Sequence, residues 1–346
     1  MSRGAKVGIA GGLFLLVAVG AFFFLRDKKL PVVDRLLPEA AVCPLTGEEP
    51  RRESLVERPA VGVKIENAAA ARPLSGLEDA DLVYEELVEG GETRFLAIFH
   101  CGDAPKAGPI RSARIVDPSL LKPLTQILGY SGANDIVIAA LEAADIVGIH
   151  EDNAGEAMER VPRAGVSFEH TLYADTAQLR RTGRRDYSEP PPEDVFAFGD
   201  LPDGTRGRRA RTITLNFGGA STITYTWTDG RWARAQDGAP FMAESGEQIG
   251  PTNVLVEEHV VNLSREIVDS AGNPSIEIAD ETGSGRAVLF RDGRAITGRW
   301  VRESVDAAVR FETRSGDEMV FAPGSIWIEL VPGEEGEVKG SFSYER

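Results

Sequence analysis

The sequence predicts an α+β protein: a mixed α/β N-terminal domain, then a mainly antiparallel β C-terminal domain, with a transmembrane helix ahead of both. Helical apolar spacing occurs only before residue 182, and from residue 211 onward short strand-like segments alternate with Asp-Gly turns. A run of uncharged, mostly apolar residues lies at the N-terminus. At 346 residues the chain is also longer than one ordinary domain, which has roughly 100 to 200 residues.

The N-terminal apolar run covers residues 7–25, whose 19 positions would extend about 28 Å as a helix, close to the thickness of a bilayer core. The basic residues before and after it are nearly balanced in number, so they do not orient the helix. A cleaved signal peptide is the alternative, because residues 18–20 are small. Residues 22–24 are all Phe and prolong the apolar run, which favours an uncleaved anchor. We therefore predict a membrane anchor over residues 1–29 and a Pro-containing stalk over residues 30–58.

The charge of the chain argues against nucleic acid as a partner. The sequence has 54 Asp and Glu against 38 Lys and Arg, a net charge of −16, and without residues 1–29 the net charge is −20. Such an acidic body repels phosphate unless a local basic patch overcomes the field. Eight Arg lie between residues 180 and 211, but six acids lie among them, so this segment is a mixed-charge stretch rather than a basic patch.

The first domain is predicted over residues 59–185. A strand is expected at residues 61–65. Strands at residues 81–89 and 93–100 are expected to form a hairpin, because the Gly pair at 90–91 supplies the positive φ that a tight turn requires.

Three helices are predicted in the same domain. Asp117 as N-cap and Pro118 as first helical residue begin the first, whose apolar residues continue through Leu128. A second helix is expected at residues 135–142, a short strand follows at 145–149, and Asp175 caps a third helix that runs through residue 181.

A linker is predicted over residues 186–210, a β-rich domain over 211–335 and a tail over 336–346. Asp-Gly pairs at 229–230, 237–238 and 292–293 are typical of two-residue hairpin turns, which indicates antiparallel pairing. The predicted strands are 212–217, 222–228, 253–261, 276–278, 287–290, 295–301, 309–312, 319–321 and 326–330.

The two cysteines, Cys43 and Cys101, suggest one disulfide, because an even pair in a chain with an export-type N-terminus is typical of an oxidising compartment. Two unrelated buried thiols are the alternative.

The sequence contains no motif that names a reaction. A phosphate-binding GxxxxGK[ST] loop, an HExxH helix, a GxSxG elbow and a CxxC pair are all absent, and the four His lack the spacing of metal ligands. We therefore expect neither a metal site nor a cofactor.

Polar residues cluster in the first domain around the hairpin and the start of the first helix. Arginine forks beside a helix N-terminus are suited to bind phosphate or carboxylate. The predicted ligand-binding residues are Arg72, Glu85, Arg94, Arg111, Ser112 and Arg114. Asp117 opposes this interpretation, since its carboxylate would use the same helix donors and repel an anion, so an internal ion-pair network is the alternative.

Three residues are candidates for proton transfer. Glu85 and Glu89 could serve as a general acid and base, although solvated carboxylates are the ordinary explanation in so acidic a chain. His170 lies in a polar loop, and the alternative for it is a hydrogen-bonded structural histidine. Whether the protein is an enzyme stays open.

Several ordered motifs resemble the YerB-like bacterial lipoproteins, a two-part family of unknown function. They lie at residues 43–47 (CPLTG), 71–77 (ARPLSGL), 80–85 (ADLVYE), 88–95 (VEGGETRF), 108–114 (GPIRSAR), 298–300 (GRW) and 322–328 (APGSIWI). The resemblance implies a membrane-attached, extracytoplasmic protein and carries no established activity. Two features depart from the family pattern: a predicted helix replaces the usual lipidated cysteine, and Glu-His-Thr at 169–171 replaces a Pro-His-Asn-like stretch, which weakens a catalytic role for His170.

The leading prediction is a single-pass protein of the cell membrane with an extracytoplasmic body that binds a ligand at an Arg/Glu-lined site. Its partners would be the membrane, through the N-terminal helix, and an envelope glycan or protein. An enzyme acting on an anionic envelope substrate, such as a glycan or lipid-linked phosphate, is the first alternative, and a structural scaffold is the second.

Overall fold

A single large β-sheet organises the chain in the computed structural model, which describes residues 41–202, 204–205, 207–269 and 272–346. Val42–Arg346 form one compact unit. The predicted anchor over residues 1–29 and the first part of the predicted stalk lie outside the described residues. Within the described ranges, no helix is both long enough and apolar enough to cross a membrane.

The first half of the chain combines three short α-helices with seven strands. The helices are α1 (Asp117–Leu121), α2 (Asp135–Ala143) and α3 (Thr176–Gly183). The strands are β1 (Val61–Glu66), β2 (Leu82–Leu87), β3 (Thr93–Phe99), β4 (Ile127–Gly129), β5 (Val147–Ile149), β6 (Met158–Arg160) and β7 (Leu172–Ala174). Single turns of 3₁₀ helix lie at Glu53–Leu55, Ala69–Ala71, Leu77–Asp79, Glu89–Gly91, Gly155–Ala157 and Phe168–His170.

The described part of the second half is built from strands. They are β8 (Ala197–Phe198), β9 (Arg208–Arg209), β10 (Thr212–Asn216), β11 (Ile223–Thr228), β12 (Arg231–Gln236), β13 (Ala239–Pro240), β14 (Asn253–Val268), β15 (Pro274–Ile278), β16 (Gly283–Arg291), β17 (Arg294–Arg302), β18 (Arg310–Thr313), β19 (Val320–Phe321), β20 (Ile326–Gly336) and β21 (Ser341–Glu345).

Strand β20 joins the two halves of the sequence in one sheet. The strand order is β18-β17-β16-β14-β20-β2-β3-β1-β4-β5, with β15 paired to β14 and β9 to β17. β20 runs parallel to β14 on one side and parallel to β2 on the other. The predicted ranges 59–185 and 211–335 therefore share a 12-stranded sheet, and their boundaries stay a prediction.

The two faces of this sheet are covered by different elements. On β2, Tyr84 points into the same core as Leu121 of α1 and Leu141 of α2. Val83, its neighbour on the strand, points to the opposite face, because successive side chains of a strand alternate. There it packs with α3 and with a five-stranded sheet of order β13-β12-β11-β10-β21.

Local turn chemistry was predicted correctly. Asp229, Asp237 and Asp292 all have positive φ, and the glycine that follows each one does too. Each pair closes a hairpin, β11–β12, β12–β13 and β16–β17 respectively. The hairpin of β2 and β3, the helix at residues 135–142 and the helix capped by Asp175 are likewise present.

The structure differs from the predicted elements in four segments. The first helix ends at Leu121 instead of continuing through Leu128, because residues 127–129 pair with β1 and β5 as β4. The stalk prediction fails for residues 43–46, which form a buried turn.

The predicted linker over residues 186–210 contains β8, and its Phe196 packs against Phe321 in the core. The predicted tail over 336–346 contains β21, whose alternating Phe342 and Tyr344 pack on the core beside β10. Both segments are short, so their apolar alternation gave only a weak strand signal. The Pro residues of the first and the charged residues of both favoured a linker and a tail instead.

The predicted disulfide is confirmed. Cys43 and Cys101 are bonded, with their Cα atoms 6.1 Å apart. The bridge ties the buried turn at residues 43–46 to the end of β3, and the carbonyl of Thr46 accepts a hydrogen bond from the Gly324 N–H at 2.7 Å. The segment ahead of β1 is thereby fastened to both sequence halves.

Candidate functional site

Three arginines meet at the end of the sheet where β1 and β2 finish and β3 begins. We call Arg94, Arg111 and Arg114 the arginine cluster. Arg94 lies on β3 opposite Glu66 of β1 and Glu86 of β2. The segment after β3 brings the other two arginines here, because the Arg111 N–H donates to the Lys64 carbonyl of β1 at 2.8 Å.

Two members of the cluster are held by the protein itself. Arg94 and Arg114 each donate through one terminal nitrogen to the carbonyl of Ser112, at 3.0 and 3.2 Å. Burial and the charges of Arg114 and Arg111 lower the pKa of Arg94 to about 9. Neither Nε has a hydrogen-bond partner among the described residues, so both guanidiniums have unused donors.

Glu89 supports Arg114. It forms an ion pair with the Arg114 guanidinium and accepts a hydrogen bond from Ser275 of β15 at 2.5 Å. Burial raises the pKa of Glu89, but the charge of Arg114 and the Ser275 hydroxyl outweigh it and hold that pKa below its usual value. Glu89 is therefore an anchoring carboxylate rather than the free acid or base that the sequence suggested.

Arg111 is the open member of the cluster. Its side chain is 31% exposed, and its nearest carboxylate oxygen, on Glu66, is 3.8 Å from Nε. No guanidinium nitrogen of Arg111 forms a hydrogen bond within the described part of the chain. Arg111 therefore presents a planar set of donors at the surface, which suits a phosphate or carboxylate oxygen.

A carboxylate–histidine pair lies beside Arg111. His170 Nδ1 is 2.7 and 2.9 Å from the two carboxylate oxygens of Glu66. Burial raises the pKa of Glu66, although His170 and Arg111 oppose that shift. The other ring nitrogen, Nε2, is 3.9 Å from Glu169, too far for a hydrogen bond. The ring is oriented through one nitrogen and has the other available, as a proton-transfer histidine requires.

A buried ionic triad lies next to the cluster. Lys64 Nζ contacts Glu86 and is 2.6 Å from Asp117 Oδ1. The other oxygen of Asp117 accepts from the Arg114 N–H at 2.6 Å. Asp117 is thus the first residue of α1, and its carboxylate bonds to Lys64 and to the N–H of Arg114. The prediction that it caps the helix N-terminus is wrong.

Lys64, Glu66 and Glu86 were not predicted as site residues. Lys64 and Glu66 occupy alternate positions of the otherwise apolar strand β1, so they share one face. Two charges on one face of a buried strand are the signal that could have identified them.

Two of the predicted site residues lie on the opposite face of the sheet. Glu85 is fully buried, and both of its carboxylate oxygens pair with Arg234 of β12 at 2.9 and 3.0 Å. Arg72 bonds to Asn67. The structure therefore brings together Arg94, Arg111, Ser112 and Arg114 and separates them from Arg72 and Glu85. Glu85 and Glu89 do not form an acid–base pair.

A second histidine lies in a charged group between β14 and the end of β15. His259 bonds through Nε2 to Glu257 and through Nδ1 to Asp280, both at 3.1 Å, and its ring stacks on Trp300. Burial lowers the pKa of His259, but the hydrogen bonds and charges of Asp280 and Glu257 outweigh it and raise that pKa to about 9.

Raising the pH from 6.5 to 9 is expected to remove about 3 kcal/mol of stability through His259. The folded-state pKa lies above that of the unfolded chain, so the imidazolium stabilises the fold fully below pH 6.5 and loses this effect as the pH rises through 9. Urea unfolding at both pH values measures the change. In His259→Gln this component should vanish, and an equal pH dependence in the variant and the parent chain would contradict the assignment.

Within the described ranges, no group of three or more His, Cys, Asp or Glu side chains is arranged to hold a metal ion.

Comparisons with known proteins agree with the resemblance seen in the motifs. The family model "Protein of unknown function (DUF3048) N-terminal domain" matches residues 45–188, and the model for the C-terminal domain of the same family matches residues 213–328. "Putative lipoprotein YerB" of Bacillus subtilis (strain 168) is 28% identical over 299 residues, 84% of this chain and 86% of that protein. The crystal structure of the YerB protein from Bacillus subtilis matches with a TM-score of 0.70 at 24% identity and covers 88% of this chain and 99% of that one, which shows a shared fold.

Proposed function

The chain belongs to the YerB-like family of two-part proteins of unknown function (DUF3048), and from this premise we propose that it is a membrane-anchored, extracytoplasmic module that binds an anionic group of an envelope ligand at the arginine cluster. Attachment through the predicted N-terminal helix, which would make it a single-pass protein, is part of the proposal. The word lipoprotein in the name of the Bacillus relative and the disulfide between Cys43 and Cys101 support a location outside the cytoplasm.

The observation that carries the binding proposal is the Arg111 guanidinium, whose only ion pair with the described residues is a long contact of 3.8 Å with Glu66. It is partly exposed, forms no hydrogen bond with the described residues and lies beside Arg94 and Arg114, whose buried Nε donors are also unused. Three guanidiniums held close together repel one another, and an incoming phosphate or carboxylate would offset that repulsion. The ligand class that fits is a phosphate or carboxylate on an envelope glycan or on a protein partner.

Substituting Arg111 with glutamine is expected to weaken anion binding about 10- to 100-fold, the effect of losing a hydrogen bond to a charged group. A thermal-shift screen with envelope extracts would find ligands. Inorganic phosphate and N-acetylmuramic acid, with neutral N-acetylglucosamine as the control, would then be titrated into the full-length chain. Arg111→Lys keeps the charge without the fork and should lose less affinity.

The double variant of Arg111 and Arg114 separates binding from a scaffold role. Arg114 is bonded to Glu89, so its loss should lower the melting temperature, whereas Arg111 has only the 3.8 Å contact with Glu66 to lose. Unchanged anion binding together with a lowered melting temperature in the double variant would favour the ion-pair network and the scaffold.

An enzyme is the second candidate function, and the pair of Glu66 and His170 is the observation that favours it. Arg111 would hold an anionic envelope substrate while the unbonded Nε2 of His170 moves a proton. Mass analysis of the recovered ligand in the same titrations distinguishes the two functions. Ligand recovered unchanged supports binding, and conversion that His170→Gln abolishes without loss of affinity supports catalysis.

A further inference from the structure

An open cavity of about 390 Å³ lies on the opposite face of the main sheet from the arginine cluster. Its wall is mostly apolar and contains two polar side chains, Arg72 and Gln236. The apolar part of the wall includes Pro240, Phe241 and Met242. A cavity of this size with a few polar groups in an apolar wall matches a small-molecule site, which typically measures roughly 300–1,000 Å³.

Arg72 brings an unpaired cation to this cavity. Its Nε donates to the side chain of Asn67 at 3.2 Å, and one terminal nitrogen donates to the Asn67 carbonyl at 2.7 Å. The remaining terminal nitrogen bonds to no described residue, and the guanidinium forms no ion pair with any carboxylate of the described chain. Burial and the neighbouring charge of Arg234 lower the pKa of Arg72, and the more distant charges of Asp237, Glu85 and Glu92 do not reverse that shift.

Gln236 adds a second donor. Its amide oxygen accepts from Asn67 at 3.0 Å and from Arg234 at 3.1 Å, which fixes the orientation of the side chain. The amide nitrogen has no hydrogen-bond partner in the described part of the protein, and Gln236 lines the cavity. Two oriented donors, one charged and one neutral, therefore belong to the same wall.

We propose that this cavity binds the carboxylate of a small molecule or chain end that also carries a short apolar group. The two oxygens of a carboxylate match the donors of Arg72 and Gln236. The apolar group would lie against Pro240 and Met242, which form part of the wall.

The charge balance behind the cavity favours a monoanion over a phosphate dianion. Arg234, the other cation close to Arg72, is already neutralised by Glu85, and Glu329 lies next to that pair. A second negative charge on the ligand would find no further cation in the described wall. This distinguishes the cavity from the arginine cluster, where three guanidiniums are close together.

The test is calorimetric titration of the full-length chain, purified in detergent, with N-acetyl-leucine and with its neutral amide. We expect the acid to bind and the amide to bind at least ten-fold more weakly. Comparing 4-methylpentanoate with acetyl-Ala-Ala-Leu distinguishes a free acid from a peptide chain end as the preferred source of the carboxylate. Equal binding of N-acetyl-leucine and its amide, or no binding of any of the carboxylates at millimolar concentration, would overturn the proposal.

Met242 provides a matched pair of variants that leaves Arg72 in place. Its side chain is 41% exposed on the cavity wall, so both substitutions should fold. Met242→Glu adds a negative charge and should lower the affinity for N-acetyl-leucine at least ten-fold relative to Met242→Gln. Glutamine has the same shape as glutamate but carries no charge. Equal affinities in the two variants would contradict the site. Arg111→Gln should leave this binding unchanged, so failure here is distinguishable from failure at the arginine cluster.

Discussion

Replacing Arg234 with methionine is expected to lower the free energy of unfolding by about 3–5 kcal/mol, the usual effect of removing one partner of a buried ion pair. Arg234 is fully buried, pairs with both carboxylate oxygens of Glu85, and its guanidinium carbon lies 4.0 Å from the centre of the Phe241 ring. Methionine is comparably long and is apolar, but it leaves the buried carboxylate of Glu85 beside Glu329 without the cation that neutralised it. Urea unfolding followed by tryptophan fluorescence measures the loss.

The same substitution at the surface is the matched control. Arg299 pairs with Glu312 on β17 and β18, and its side chain is 59% exposed. Arg299→Met should therefore change stability by less than about 1 kcal/mol. Adding Glu85→Gln to Arg234→Met removes the stranded charge and should recover part of the loss. Similar small effects of both methionine variants would show that the buried pair does not stabilise the fold.

Elements whose signals are local were predictable from the sequence. The hairpin of β2 and β3 needs only strand alternation and the glycine pair at residues 90–91, both of which have positive φ. The role of β20 was not predictable, because its parallel pairing with β2 joins residues 82–86 to residues 326–330 and no turn connects them. Such non-local pairing depends on the whole core, not on the sequence of either strand.

The part of the candidate site that comes from neighbouring residues in the sequence was predictable, and the part that depends on distant contacts was not. Arg94, Arg111 and Arg114 lie close together in the sequence, and the segment after β3 returns beside β1 and brings them to one place. The separation of Glu85 from them follows from the alternation of side chains along β2, a rule that the sequence already supplies. Its partner Arg234 comes from β12, 149 positions away, and no local pattern indicates that contact.

Removing the disulfide is expected to lower the free energy of unfolding by about 4 kcal/mol, since the bridge closes a loop of 58 residues in the unfolded chain. The variant is the double substitution Cys43→Ser with Cys101→Ser, which leaves no lone thiol. Denaturant unfolding of the oxidised parent chain and of this variant measures the difference. Mass spectrometry without reductant should show Cys43 joined to Cys101, and two free thiols in exported protein would contradict the pairing.

Reductant separates the effect of the bridge from the effect of the substitutions. It should lower the stability of the parent chain to that of the double variant and leave the variant unchanged. The arginine cluster should keep its affinity throughout, because Cys101 follows the last residue of β3 and Arg94 lies near its first, about 23 Å apart along an extended chain. A loss of anion binding on reduction would contradict this expectation. It would mean that the turn at residues 43–46 stabilises the start of β3, where the arginine cluster lies, as well as its end.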